Sequence, residues 1–244
     1  MPARLVHAIF DDSTHPLAAA VTAWTAASPR FAIFVAANRD KIRKKARGAR
    51  DAAALEDLHF ELGIANALLR DRRCALIYEP RVPGQRRAPD FALSYRVSTQ
   101  LMLEVTRLRS APLAADEDRQ ECAEAGTSSG RQAANRLQAL LCAKLGQLVP
   151  QTTNVLVVGI EGAVLRDLDV NATLRGLQVR VERGESALLA RYGFRDPAEF
   201  FKQYRRLSAL VTRPWPPHGR MPALWINGQA THPIPQKARA VLLA

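Results

Sequence analysis

Two stretches near the middle of the chain alternate apolar and polar positions. Phe91, Leu93 and Tyr95 alternate with Ala92 and Ser94, and Leu101, Leu103 and Val105 alternate with Met102, Glu104 and Thr106. This is the period-two pattern of half-buried strands. Val97, Ser98 and Thr99 between them read as a weak turn, because the favoured hairpin dipeptides are absent. Helical spacing flanks the pair. Leu55, Leu58, Leu62, Ala65 and Leu69 make one stripe over residues 52–69, and Ala134, Leu137, Leu141 and Leu145 make another over 131–147. CALIY (74–78) predicts a short buried strand, and the nearly all-apolar NVLVVG (154–159) a strand covered on both faces.

Outside this centre the pattern is mostly helical. One helix is expected over 16–27, with Asp11, Asp12, Ser13 and Thr14 as N-cap candidates, and a second from Phe31 onward. Residues 107–130 are polar and loop-like, with an acidic patch at Asp116, Glu117 and Asp118. Further helices are expected over 163–180, 185–192 and 197–204, then a strand over 207–212. After the proline-rich RPWPPHGRMP come a short strand around Trp225 and a last helix over 236–243. The fold class is therefore α/β, a sheet flanked by helices. It divides into a basic helical segment (1–50), a central core (51–162) and an extension packed on that core (163–244), forming one structural domain.

Length and composition set few further limits. With 244 residues, 48% hydrophobic and 24% charged, the chain can bury a full core as an ordinary globular protein. No apolar run approaches the ~20 residues of a membrane span. The first residues lack the long apolar core of a secretory signal. Cys74, Cys122 and Cys142 are too scattered for a disulfide framework or a zinc site. These features predict a reduced, cytoplasmic protein without a membrane partner. The net charge of +12 favours a polyanion as partner. It is concentrated between Arg39 and Arg50, where seven basic residues meet the single acid Asp40. A solvated helix face would look the same. Beside a phosphate-handling site, however, Lys41, Arg43, Lys44, Lys45 and Arg47 would grip a nucleic-acid backbone, joined by Arg86 and Arg87 from the loop over 80–89.

Candidate chemistry follows from the two alternating strands. If both apolar rows face the core, the opposite face gathers Asp90, Glu104 and Thr106. A slip of one residue would scatter them. Glu61 flanks the apolar stripe of the preceding helix and is aimed along the sheet edge. Hard oxygen ligands of this kind suit Mg²⁺ or Mn²⁺, which keep several waters and meet a phosphate directly. Each acid taken singly reads equally well as a surface residue, and Pro89-Asp90 as a turn before a strand.

The order Glu61…Pro89-Asp90…Glu104-Val105-Thr106 resembles the PD-(D/E)XK, or restriction-endonuclease-like, nuclease superfamily. The resemblance implies an αβββαβ core over about 51–162. It also implies metal ligation by Asp90 and Glu104 with Glu61 joining from the helix, and hydrolysis of phosphodiester bonds, with DNA the expected substrate. The family's lysine falls at Thr106, which carries no charge. Some members place that lysine or a glutamine on the following helix, where Lys144, Gln132 and Gln138 are the candidates. A nuclease fold that binds nucleic acid without cutting it is the alternative. A homodimer would suit cleavage of two strands, although no sequence feature marks an interface.

Other motifs carry less. GTSSG (126–130) matches the G-x-S-x-G nucleophile elbow by letters, but no strand precedes it. Gly159 and Gly162 lack the full dinucleotide fingerprint. His7, His15, His59, His218 and His232 show no metal spacing, and Trp24, Trp215 and Trp225 read as packing residues.

Overall fold

The computed structural model describes residues 2–11, 14–85, 87–109, 128–217 and 221–243. Four helices, α1 (Pro2–Phe10), α2 (Ala18–Ala27), α3 (Pro29–Ala37) and α4 (Arg39–Gly48), precede the long α5 (Ala52–Leu69). Strands β1 (Cys74–Tyr78), β2 (Phe91–Tyr95) and β3 (Thr99–Arg107) follow, then α6 (Ser128–Leu145) and β4 (Asn154–Ile160). Next come α7 (Gly162–Asp167), α8 (Val170–Glu182), α9 (Ser186–Arg191) and α10 (Pro197–Tyr204). The chain closes with β5 (Leu207–Pro214), β6 (Ala223–Ile226), α11 (Gln236–Arg239) and a 3₁₀ turn, Ala240–Leu243.

All six strands share one mixed sheet in the order β1-β2-β3-β4-β5-β6. The β1–β2, β2–β3 and β5–β6 pairs are antiparallel, while β3–β4 and β4–β5 are parallel. Helices cover both faces. On one, α1 to α5 pack with Phe91, Leu93, Leu101, Leu103 and Val105, the two apolar rows expected from the alternation. On the other, α6 to α10 pack on Leu156, Val158 and Ile160. Every residue of β4 is buried, as its composition predicted. Because β5 and β6 extend the sheet, the C-terminal third is continuous with the core. Among the described residues, no helix is long and apolar enough to cross a membrane.

Several local expectations are corrected. An additional helix, α1, occupies the N-terminus, burying Val6, Ile9 and Phe10. Helix α2 begins at Ala18 behind Leu17 with no side-chain cap. Of the four proposed caps, Asp12 and Ser13 lie outside the described residues, and Asp11 instead pairs with Arg43 and Arg47. The helical run after Phe31 is interrupted at Asn38, and the 163–180 run at Leu168 and Asp169. In the second break the Asp169 carboxylate accepts from Ala172 N at 2.9 Å, starting a new helix. β1 is an edge strand with Ile77 exposed, not a wholly buried one. The acidic patch at 116–118 lies outside the described residues.

Candidate functional site

Helix α5 begins where the Asp51 carboxylate accepts from Ala54 N at 2.7 Å, and it lies along β3 and β1. Its attitude is fixed by polar as well as apolar contacts. Arg107, at the end of β3, donates to Asp57 Oδ1 at 2.8 Å and to Ala53 O at 3.1 Å. Trp215 Nε1 donates to Glu56 at 3.0 Å. Gly159 makes room on β4, since a Cβ there would lie 3.0 Å from the Phe60 ring and 3.1 Å from Arg107. This is the physical use of a glycine that superficially suggested a nucleotide loop. The outcome is that Glu61 is held nearly buried against the sheet.

The two other acids come from the hairpin. Phe91 pairs with Leu103, so Asp90, one residue earlier, stands across from Glu104. Asp90 Oδ2 accepts from Val105 N at 2.8 Å, which ties the carboxylate to β3. Glu104 is buried and turned toward α6, where Lys144 Nζ lies 2.6 Å from its Oε1. Thr106 is half-buried, two residues further along the same strand.

The position of Lys45 differs from the one expected. Its ammonium lies 2.8 Å from Glu61, 3.0 Å from Glu79 and 3.8 Å from Asp90, and 4.9 Å from the centre of the Tyr78 ring. Lys45 was expected to face nucleic acid and instead sits inside the carboxylate cluster. One sequence signal was available: Lys45 follows Ile42 by three positions on a helix whose buried residues are Ile42 and Ala46. Glu79 carried no such signal. It leaves β1 with a φ of +45° and donates its backbone N–H to Asp90 O at 2.9 Å, a connection visible only in three dimensions.

The electrostatics reflect crowding. Burial raises the pKa of Asp90, and the charges of Glu61 and Glu104 add to it against the opposing pull of Lys45. Burial likewise raises Glu61, opposed by Lys45. Burial pulls Lys45 down, but Glu61 and Asp90 outweigh it and leave its pKa above the usual lysine value. Tyr78 is 1% exposed, with its hydroxyl beside Glu61. Burial and the neighbouring Glu61, Glu79 and Asp90 push its pKa strongly upward.

The remaining candidates are dispersed. Lys41 donates to the carbonyl oxygen of Tyr78 at 2.6 Å, and Arg43 and Arg47 pair with Asp11, so much of the basic run braces the fold itself. Lys44 and Arg87 are exposed, and Arg86 lies outside the described residues. Gln132 is exposed on α6, whereas Gln138 is buried, donating to Thr173 O at 2.9 Å and accepting from Arg180 at 3.1 Å. His59 packs between Trp24 and Trp215. The letters Ser128 to Gly130 of GTSSG open α6.

Among the described residues, no three acidic, histidine or cysteine side chains stand close enough together to hold a metal ion as they are oriented. The donors are oxygen only, the type a hard cation takes, and Lys45 and Lys144 already pair with Glu61, Glu79 and Glu104. No family model, curated protein or solved structure matches the chain.

Proposed function

We propose that this protein is a divalent-metal-dependent nuclease built on a restriction-endonuclease-like core, with DNA as substrate. The element order α5-β1-β2-β3-α6-β4 is the αβββαβ order that the resemblance implies over residues 51–162. The observation that carries the reading is the convergence of Glu61, Asp90 and Glu104. These three acids come from α5, the bend before β2 and strand β3: Asp90 stands across from Glu104 and shares Lys45 with Glu61. Like charges buried together without a catalytic or ligand-binding use are costly.

In this reading Glu61, Asp90 and Glu104 hold Mg²⁺ or Mn²⁺. The ion would acidify an attacking water and neutralise charge on the leaving phosphate. Lys144 supplies the positive charge that Thr106 lacks, since its ammonium is already 2.6 Å from Glu104. Gln138 is committed to α8, which leaves Lys144 ahead of the two glutamines. Lys41, Lys44, Arg47 and Arg87 of the expected phosphate-binding set are exposed, Lys41 and Arg47 being engaged by the Tyr78 carbonyl and Asp11.

Supercoiled plasmid and single-stranded DNA incubated with the protein in Mn²⁺, beside an Asp90→Ala variant, test the assignment. The parent should cut and the variant should lose at least about a hundredfold in rate while keeping the parent's circular dichroism. Equal cleavage by both would remove the site. A second reading, a nuclease fold that binds nucleic acid without turnover, is favoured by Thr106 and by the lysines that already neutralise Glu61 and Glu104. It predicts salt-sensitive DNA binding with no cutting in any metal.

A further inference from the structure

We infer that the cavity between α5 and the end of β5 is a pocket for a single nucleotide, with the base against Trp24, Trp215 and Asn66 and the phosphate on Arg70 and Arg213. The inference goes beyond the proposed function and does not depend on it, since Glu61, Asp90 and Glu104 take no part in lining this cavity.

The cavity has a volume of about 510 Å³. That lies within the roughly 300–1,000 Å³ of small-molecule sites. Its walls are aromatic. A Cβ on Gly63 would lie 3.3 Å from the Trp215 ring and 3.5 Å from that of Trp24, so both indoles close on this one position of α5. Trp215 is fixed there: its Nε1 donates to Glu56 at 3.0 Å, and its ring meets those of Phe60 and His59 edge to face at 5.1 and 4.9 Å. A preset aromatic wall suits a base of any identity, because every base has a π-face.

Asn66 narrows the choice of ligand. It follows Gly63 by three positions, is 5% exposed and lines the cavity, yet its side-chain amide has no hydrogen-bond partner among the described residues. A buried carboxamide left in that state is costly. It offers a donor and an acceptor side by side, the complement of a nucleobase edge. Positive charge stands at the same cavity. Arg70, exposed just beyond α5, and Arg213, half-buried on β5, both line it. Burial lowers the pKa of Arg213, and the charge of Arg70 lowers it further, which marks the two guanidinium groups as neighbours. No acidic side chain is among the described lining residues. Paired guanidinium groups match a phosphate, whose oxygens accept from arginine in bidentate fashion. Indole walls, amide and cations thus correspond in turn to the face of a base, its edge and its phosphate.

Calorimetric titration of AMP, GMP, CMP and UMP, and of the matching nucleosides, into the parent, Arg70→Gln and Asn66→Leu tests this. Arg70 is exposed, and Asn66→Leu replaces an unpartnered polar group with an apolar one of similar size, so both variants should fold and the second should keep at least the parent's Tm. The parent should bind at least one nucleotide, with quenching of its tryptophan fluorescence. Arg70→Gln should weaken that nucleotide at least about tenfold and leave its nucleoside unchanged, whereas Asn66→Leu should weaken both by as much. A short single-stranded oligonucleotide that displaces the nucleotide at equal or lower concentration would mark the ligand as a unit of a strand, and one that does not would mark it as a free nucleotide. Binding of none of the four to the parent, or binding that either variant leaves unchanged, would overturn the assignment. A Tm well below the parent's in Asn66→Leu would overturn it too, by showing that the amide has a structural partner. None of these results bears on the Asp90→Ala cleavage test.

Discussion

Asp90 carries the most information of any single residue. Its carboxylate is fixed by Val105 N, faces Glu61 and Glu104, and draws on Lys45 only at 3.8 Å. Its pKa is raised from 3.8 to about 7, with burial the leading cause. A carboxyl group that binds its proton more tightly when folded than when unfolded makes the folded state lose stability as pH rises between those two values. Asp90→Asn removes that penalty and keeps an oxygen for Val105 N. In EDTA the variant should therefore be more stable than the parent. The margin should grow by at least about 1 kcal/mol between pH 5 and pH 8, as each unit of raised pKa corresponds to roughly 1.4 kcal/mol. Urea unfolding at the two pH values measures it, and a margin independent of pH would show that Asp90 is not strained by its neighbours. Alternation places Asp90 across from Glu104, and helical spacing places Glu61 beside the apolar stripe of α5. The sequence could not reveal that Lys45 and Glu79 meet them, since that contact joins α4 to the end of β1 across 34 positions of chain.

At the scale of elements, periodicity located the core helices and strands well and the places where helices stop poorly. The strands β2, β3 and β4 and helices α5, α6 and α10 follow the apolar pattern closely. Breaks at Asn38 and Leu168 arise because an apolar stripe can continue across two helices packed on one core, so the pattern alone does not register the change of axis. The β2–β3 hairpin shows the same limit in a different form. Its turn lacks the residues that tolerate positive φ, yet Arg96 and Val97 adopt φ of +48° and +62°. The cross-strand packing of Phe91, Leu93, Leu101 and Leu103 imposes the register on an unsuitable turn. Val97 is 91% exposed and makes no core contact that offsets its conformation. Val97→Gly should stabilise the protein by about 0.5–1 kcal/mol, the relief of left-handed strain less the entropy glycine loses on folding. Chemical denaturation checks it, and a destabilised variant would mean that the turn is not strained.

For the whole molecule, the charge of +12 is less a free surface than the composition suggests. Arg43 and Arg47 brace Asp11, Arg107 holds Asp57, Lys41 and Arg30 cap carbonyl groups, and Lys45 and Lys144 sit on the acids of the site. The sheet, its two helical layers and the paired hairpin acids together make a scaffold in which a small buried cluster of carboxylates is held against its own repulsion. Under the proposed function this cluster receives a divalent ion. Crystals grown metal-free and soaked in Mn²⁺ would test it directly through anomalous scattering. The expected result is a single strong peak within about 2.5 Å of carboxylate oxygens of Asp90 and Glu104. A fully occupied peak elsewhere, or none at saturating Mn²⁺, would contradict the metal reading.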